Sequence, residues 1–192
     1  MIPRHEMPPA GSAAALAGTV AAAIPILETA RTRLRAPRAE DFDTFAGIAC
    51  DARGAFLGGP MSRADAWTEF AQMAAGWLLH GHGLWTVEAR GDGRCLGFVM
   101  IGLEPGDAEP ELGFLLTAEA EGKGYGREAA EAARDFAWQE LGLASLVSYI
   151  DAENERAIEL ALCLGAARDR KAEAALGQPV CVYRHPRPET GE

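Results

Sequence analysis

The stretch Glu121-Gly122-Lys123-Gly124-Tyr125-Gly126-Arg127 constrains this chain more than any other. Three glycines at alternate positions follow an apolar run, Leu112 to Leu116. They lead into Tyr125 to Leu141, where Tyr125, Ala129, Ala132, Ala133, Phe136 and Leu141 recur close to helical spacing. A strand, a glycine-rich turn and a helix start are expected in that order. The first amides of a helix have no intrahelical acceptor. With the positive end of the helix dipole they form an anion site suited to phosphate. Glycine fits such a turn because a side chain would hold the anion off the backbone, and because the turn can require positive φ. The plain alternative is a glycine-rich turn capping a surface helix, and the neighbouring segments decide between the two.

Two common phosphate motifs do not fit. A P-loop needs Gly-Lys-Ser/Thr after its spacer, and this stretch has no such run. The dinucleotide fingerprint is Gly-x-Gly-x-x-Gly near the start of a βαβ unit, whereas the spacing here is Gly-x-Gly-x-Gly, far into the chain.

The 192 residues suit one domain with a sizeable core, and 48% hydrophobic with 24% charged residues is ordinary for a globular protein. A formal net charge of −10 argues against nucleic acid as the main ligand and is compatible with a cationic amine or basic peptide. Cys50, Cys95, Cys163 and Cys181 are scattered, and His5, His80, His82 and His185 show no ligand spacing. Neither a disulfide framework nor a metal is expected, and a reducing cytoplasm suits such cysteines. No run is long and apolar enough to predict a membrane span.

Residues 1–26 are rich in Ala, Gly and Pro and read as a flexible extension; their alanine-dominated run and early prolines fit a secretory signal poorly. Residues 27–186 read as the domain and 187–192 as a flexible tail. Arg31 to Ala36 alternates as a half-exposed strand does, and a helix opens at Ala39 with Phe42, Phe45, Ile48 and Ala49 on its apolar face. Ser62 is an N-cap for a second helix, striped by Trp67, Phe70, Ala71, Ala74, Trp77 and Leu78. Leu84–Ala89 and Cys95–Ile101 flank Gly91-Asp92-Gly93-Arg94 as a hairpin. Strands are then expected at 111–116, 145–150 and 180–184, with a helix from Glu155 to Leu164 stopped by Gly165.

Glu121, Gly124 and Gly126 stand at the fixed positions of a Gln/Arg-x-x-Gly-x-Gly/Ala signature, with Lys123 and Tyr125 matching its Gly-Lys-Gly-Tyr-Gly form. The stretch thereby resembles the acyl-CoA pyrophosphate loop of the GNAT family of N-acetyltransferases. Glu121 replaces the usual Gln or Arg, a mild departure for a loop that works mainly through backbone amides. Asn154 with Leu164-Gly165-Ala166 resembles the family's second signature, and Leu27 to Arg35 resembles the first strand of its RimJ/RimL-like, ribosomal-protein acetyltransferase branch. The resemblance covers roughly residues 27 to 185. It implies an α/β (α+β) GNAT fold, with a mixed, mostly antiparallel central sheet of six to seven strands flanked by helices. It also implies acetyl-CoA as co-substrate and a primary amine as acceptor, either a protein N-terminus or a small molecule. Attack would be direct, in a ternary complex. From charge, Cys/His spacing and hydropathy, no nucleic acid, metal or membrane partner is expected, and the sequence leaves monomer and homodimer both open.

The same resemblance assigns roles. Gly122, Lys123, Gly124, Tyr125, Gly126 and Arg127 would hold the pyrophosphate. Asn154 would reach the pantetheine arm, or serve only as an N-cap. A backbone N–H of Phe114, Leu115 or Leu116 would meet the acyl oxygen as charge develops on it. An alkyl ammonium of pKa ~10 must lose a proton before it attacks. Glu111 is the candidate base, against the reading of a surface acid at a strand end. The Tyr common seven residues after the Asn is Ala161 here, so Tyr149, another group or water would protonate the thiolate. A thiol of pKa ~8.5 also leaves well unaided. An acyl-cysteine on Cys163 is not required. Phe56, Leu57 and Met61 line the acceptor pocket or simply pack on the core. The competing classes are a non-catalytic acyl-CoA-binding or regulatory module, to which Ala161 points, and a nucleotide-binding domain, which the absent P-loop disfavours.

Overall fold

A computed structural model of the protein describes residues 2–188. Its strands are β1 (Leu27–Glu28), β2 (Thr32–Arg35), β3 (Leu84–Ala89), β4 (Cys95–Gly102), β5 (Glu111–Leu116), β6 (Val147–Asp151), β7 (Ala167–Arg168) and β8 (Val180–Arg184). Its helices are α1 (Gly11–Ala22), α2 (Phe42–Ala49), α3 (Arg63–Leu79), α4 (Tyr125–Gln139), α5 (Glu155–Cys163) and α6 (Arg170–Leu176). The strands form one sheet in the order β1-β2-β3-β4-β5-β6-β8-β7. Every pairing is antiparallel except β5 with β6. Eight strands replace the expected six to seven because β1 and β7 add two residues each at the edges, too few to show an alternating pattern.

Side-chain alternation along β5 divides the core. Leu112, Phe114 and Leu116 lie with the cluster beneath α4, whose Ala129, Ala130, Ala133 and Ala137 are fully buried. Those methyl-sized side chains let the helix backbone approach the sheet closely, which fixes where its N-terminus points. Leu115 goes to the other face, with Phe45 of α2, Phe70 of α3 and Phe98 of β4. A third cluster joins α5 to β6 and β8 through Ile150, Ala161, Cys181 and Tyr183. Ser62 caps α3 as read, its hydroxyl accepting from the Asp65 amide at 3.1 Å.

A buried ion network locks β2 to the start of α2. The Arg35 guanidinium donates to both Asp41 oxygens at 2.7 and 2.8 Å and to Glu88, while the Thr86 hydroxyl donates to Asp41 at 2.8 Å. Burial pushes the Asp41 carboxyl up, but the hydrogen bonds and charge of Arg35, with the Arg38 amide and the Thr86 hydroxyl, together hold it below its ordinary value.

The stretch read as a flexible extension carries α1, none of whose residues is buried, and a 3₁₀ turn at Arg4–Glu6. Glu6 of that turn is buried and takes the Arg63 guanidinium at 2.7 Å. Of the tail, residues 189–192 lie outside the described residues. No helix among the described residues is long and apolar enough to cross a membrane.

Candidate active site

The site begins where β5 and β6 part. The two strands are in register only at Glu111 and Val147, with the Val147 amide donating to the Pro110 carbonyl at 3.0 Å. A continued parallel ladder would send the Tyr149 amide to the Leu112 carbonyl. Side chains take both places instead. The Tyr149 amide donates to Glu111 Oε1 at 3.2 Å, and the Ser148 hydroxyl donates to the Leu112 carbonyl at 2.6 Å. His185 Nε2 lies 3.0 Å from the Ser148 oxygen. Because that hydroxyl's proton is already committed to Leu112, Nε2 is the protonated ring nitrogen and donates to it. The buried Nδ1 has no partner, and burial followed by the nearby Arg134 charge lowers the His185 pKa to about 4.

Beyond this vertex the β6-facing edge of β5 is open. The Thr117 amide donates to Leu96 of β4, and a Cβ on Gly97 of β4 would lie 2.1 Å from the Leu115 oxygen, so residues 115 and 117 turn their polar groups toward β4. Alternation then turns those of Phe114 and Leu116 into the gap. Of the three amides expected to meet the acyl oxygen, Phe114 and Leu116 are available and Leu115 is committed to the sheet.

Past the open edge comes the glycine turn. Gly122 and Gly124 hold φ of 69° and 80°, and Gly124 is the N-cap of α4 with no side-chain cap. None of the amides from Gly122 to Arg127 makes a well-formed hydrogen bond to another group of the described chain. A Cβ on Gly126 would meet the Leu116 side chain at 2.7 Å, so glycine there lets the turn close on the strand. These orphaned amides at a dipole's positive end fit a pyrophosphate. Arg31 braces the turn, donating to the Lys123 carbonyl at 3.0 Å and to Glu128 at 2.7 Å, with its guanidinium over the Tyr125 ring. The Arg127 side chain instead pairs with Glu131 at 3.0 Å, away from the turn.

A cleft of about 450 Å³ runs between these elements, lined by Glu111, Phe114, Leu115, Tyr149 and Asn154 and walled by Phe56, Leu57 and Met61. Glu111 is partly open to it, yet its carboxyl is pushed up to about 8 by burial, helped by Asp107 and Glu104 and opposed by the Tyr149 amide. Burial also raises Glu104, with Glu69 and Asp107 adding to it. Tyr149 holds its hydroxyl against the Glu109 main chain at 3.3 to 3.4 Å, and burial raises its pKa. Asn154 caps α5 by accepting from the Ala157 amide at 3.2 Å and also faces the cleft. Ala161 is fully buried in the packing of α5, whereas Cys163 is exposed at that helix's end and does not line the cleft. No group of three or more potential metal ligands occurs among the described residues.

Several contributors escaped sequence reading. Glu69, Glu104 and Asp107 give the cleft an acidic wall, and Leu176, Gln178 and Val180, at and after α6, close its far end. Arg53 and Arg156 both reach Glu121 of the glycine turn. No local pattern marks any of them, since each is brought to the cleft or the turn by contacts between distant segments.

The acetyltransferase (GNAT) domain family matches residues 31–167. An acetyltransferase from Agrobacterium tumefaciens is 34% identical, with 85% of this chain and 95% of that one covered and a TM-score of 0.81. The fold is shared, at lower identity, with a ribosomal-protein-S5-alanine acetyltransferase from Vibrio fischeri (17%; 88% and 100% covered; TM-score 0.61). It is shared likewise with a spermidine N-acetyltransferase from Vibrio cholerae solved with CoA and spermine (18%; 81% and 94% covered; TM-score 0.60).

Proposed function

The chain belongs to the GNAT acetyltransferase family, and from that premise we propose that it transfers an acetyl group from acetyl-CoA to a primary amine by direct attack. The observation that carries this is the Glu111 carboxyl, raised to about 8, at the vertex of the open strand edge. When bound, acetyl-CoA supplies an activated acyl group on a thiol that leaves readily. The orphaned amides of Gly122 to Arg127 hold its pyrophosphate, the open edge of Phe114 and Leu116 holds its pantetheine arm and acyl oxygen, and Asn154 closes the groove at the start of α5.

Glu111 takes the acceptor's proton. A carboxylate with a pKa near 8 is far better matched to an ammonium than an ordinary carboxylate. The arriving cation itself draws Glu111 toward its charged form. Glu69, Glu104 and Asp107 line the acceptor end and attract that ammonium. Tyr149 keeps its proton at neutral pH and, lining the same cleft as Glu111, is the candidate acid for the departing thiolate. A protein N-terminus, as in the RimJ/RimL-like branch, and a small polyamine both satisfy this wall. Release of free thiol from acetyl-CoA, measured over a panel of N-terminal peptides and small amines, tests the reading. Turnover with at least one amine supports it; CoA binding with no turnover on any would favour the non-catalytic module that buried Ala161 suggests.

A further inference from the structure

Glu121 is an odd residue for a phosphate turn, because a carboxylate there repels the ligand. Its two oxygens are nonetheless both occupied by arginines from other segments. Arg53 Nη2 reaches Oε1, and Arg156 Nη1 reaches Oε2 at 2.8 Å. Arg53 belongs to the 3₁₀ turn Ala52–Leu57 and Arg156 to the first turn of α5. Each guanidinium carries five N–H donors, and Glu121 engages one from each. The Arg53 Nε is buried and has no partner at all. Partly exposed ion pairs such as these contribute little to stability, so folding alone gives no strong reason for two arginines to converge on one carboxylate.

We propose that Glu121 is a placeholder that delivers Arg53 and Arg156 to the phosphates of the acyl donor, and that Arg53 thereby ties the donor site to the acceptor wall. This rests on the acetyl-CoA reading above. With the carboxylate counted, the cluster keeps one net positive charge at the mouth of the amide cradle, in a chain of net charge −10. Its free donors suit a pyrophosphate, for which fork geometry is favourable. The second half follows from the 3₁₀ turn. Its third residue, Gly54, packs so closely that a Cβ would lie 2.2 Å from the Ala49 oxygen, and Asp51 caps the turn through the Arg53 amide. Arg53 therefore moves with a stiff segment whose Phe56 and Leu57 line the acceptor end of the cleft.

The experiment is calorimetric titration of the full chain with CoA and with pantetheine, which lacks phosphate, together with hydrogen exchange of residues 52–58. Arg53→Gln and Arg156→Gln should each weaken CoA about tenfold and change pantetheine by less than twofold. CoA should protect residues 52–58 in the parent and in Arg156→Gln, and fail to do so in Arg53→Gln. Arg53→Lys, which keeps the charge, should restore part of the affinity. Unchanged CoA affinity in both glutamine variants, equal losses for CoA and pantetheine, or protection that survives Arg53→Gln would overturn the proposal while leaving acetyl transfer intact. A folded parent that binds no CoA would instead overturn the acetyl-transfer reading.

Discussion

The Glu111 carboxyl accepts the Tyr149 amide at 3.2 Å, standing in for the ladder partner that β6 loses where it leaves β5. One side chain thus finishes the sheet and faces the cleft. The arrangement holds the carboxyl in a place that disfavours its charge, which is the property a base for ammonium requires.

Glu111→Gln keeps the amide's acceptor and removes the base. Turnover of the best acceptor should fall by about 10² or more while acetyl-CoA affinity stays within about twofold. In the parent, activity should rise with pH through a limb near 8 that the variant lacks. Steady-state rates between pH 6 and 9 check this, and equal losses of turnover and affinity would contradict it.

Stability carries the same signature. Glu111 stays protonated in the folded protein to about pH 8 but ionises near 4.5 in the unfolded chain. Between those values the folded state holds the extra proton, so its stability falls as pH rises. Glu111→Gln should remove that slope and exceed the parent by about 2 kcal/mol at pH 8, a figure reduced from the full shift because the cleft admits water. Urea unfolding at pH 5 and pH 8 measures the difference; an identical gap at both would sink the assignment.

His185 works in the opposite sense. It stays neutral in the folded protein down to about pH 4, whereas the unfolded chain takes up the proton near 6.5. Stability is therefore lost as pH falls through that window. His185→Gln, whose amide can still donate to Ser148, should flatten the acid limb by about 1–2 kcal/mol at pH 4. An unaltered acid limb in thermal unfolding would contradict the buried neutral ring.

Gly124→Ala separates backbone strain from ligand access. At φ 80° the substitution should destabilise by about 1 kcal/mol. Gly142 has φ 61° with open space around it, so Gly142→Ala should carry a similar strain. Only the Gly124 variant should lose acetyl-CoA affinity, by about tenfold, because its methyl would lie 3.2 Å from Arg31 Nη2 and disturb the guanidinium that braces the anion turn. Equal affinities for the two variants would argue against the turn as the phosphate site.

Local chemistry made much of this fold legible. The Gly91–Arg94 turn between two apolar runs set the β3–β4 hairpin, and β5 and β8 have the bounds their apolar runs suggest. The glycine turn declared itself because positive φ and an uncapped helix start need those residues. What escaped depends on contacts between distant segments. Ser148 meets Leu112 and Arg53 meets Glu121 only because β6 is inserted between β5 and β8 and the 3₁₀ turn lies over α4's entrance. Which amides of β5 face the gap depends on its register with β4, so Leu115 could not be separated from its neighbours in advance. The edge strands β1 and β7 and the short α6 carry too few residues for any period to show.

We propose that the turn from Gly122 to Arg127 binds the pyrophosphate of acetyl-CoA. The decisive experiment is calorimetric titration of the purified chain with acetyl-CoA, beside ATP and NAD. Micromolar binding of acetyl-CoA with no comparable heat from the other two is the predicted result. A folded protein that binds none of them, or prefers ATP or NAD, would contradict it.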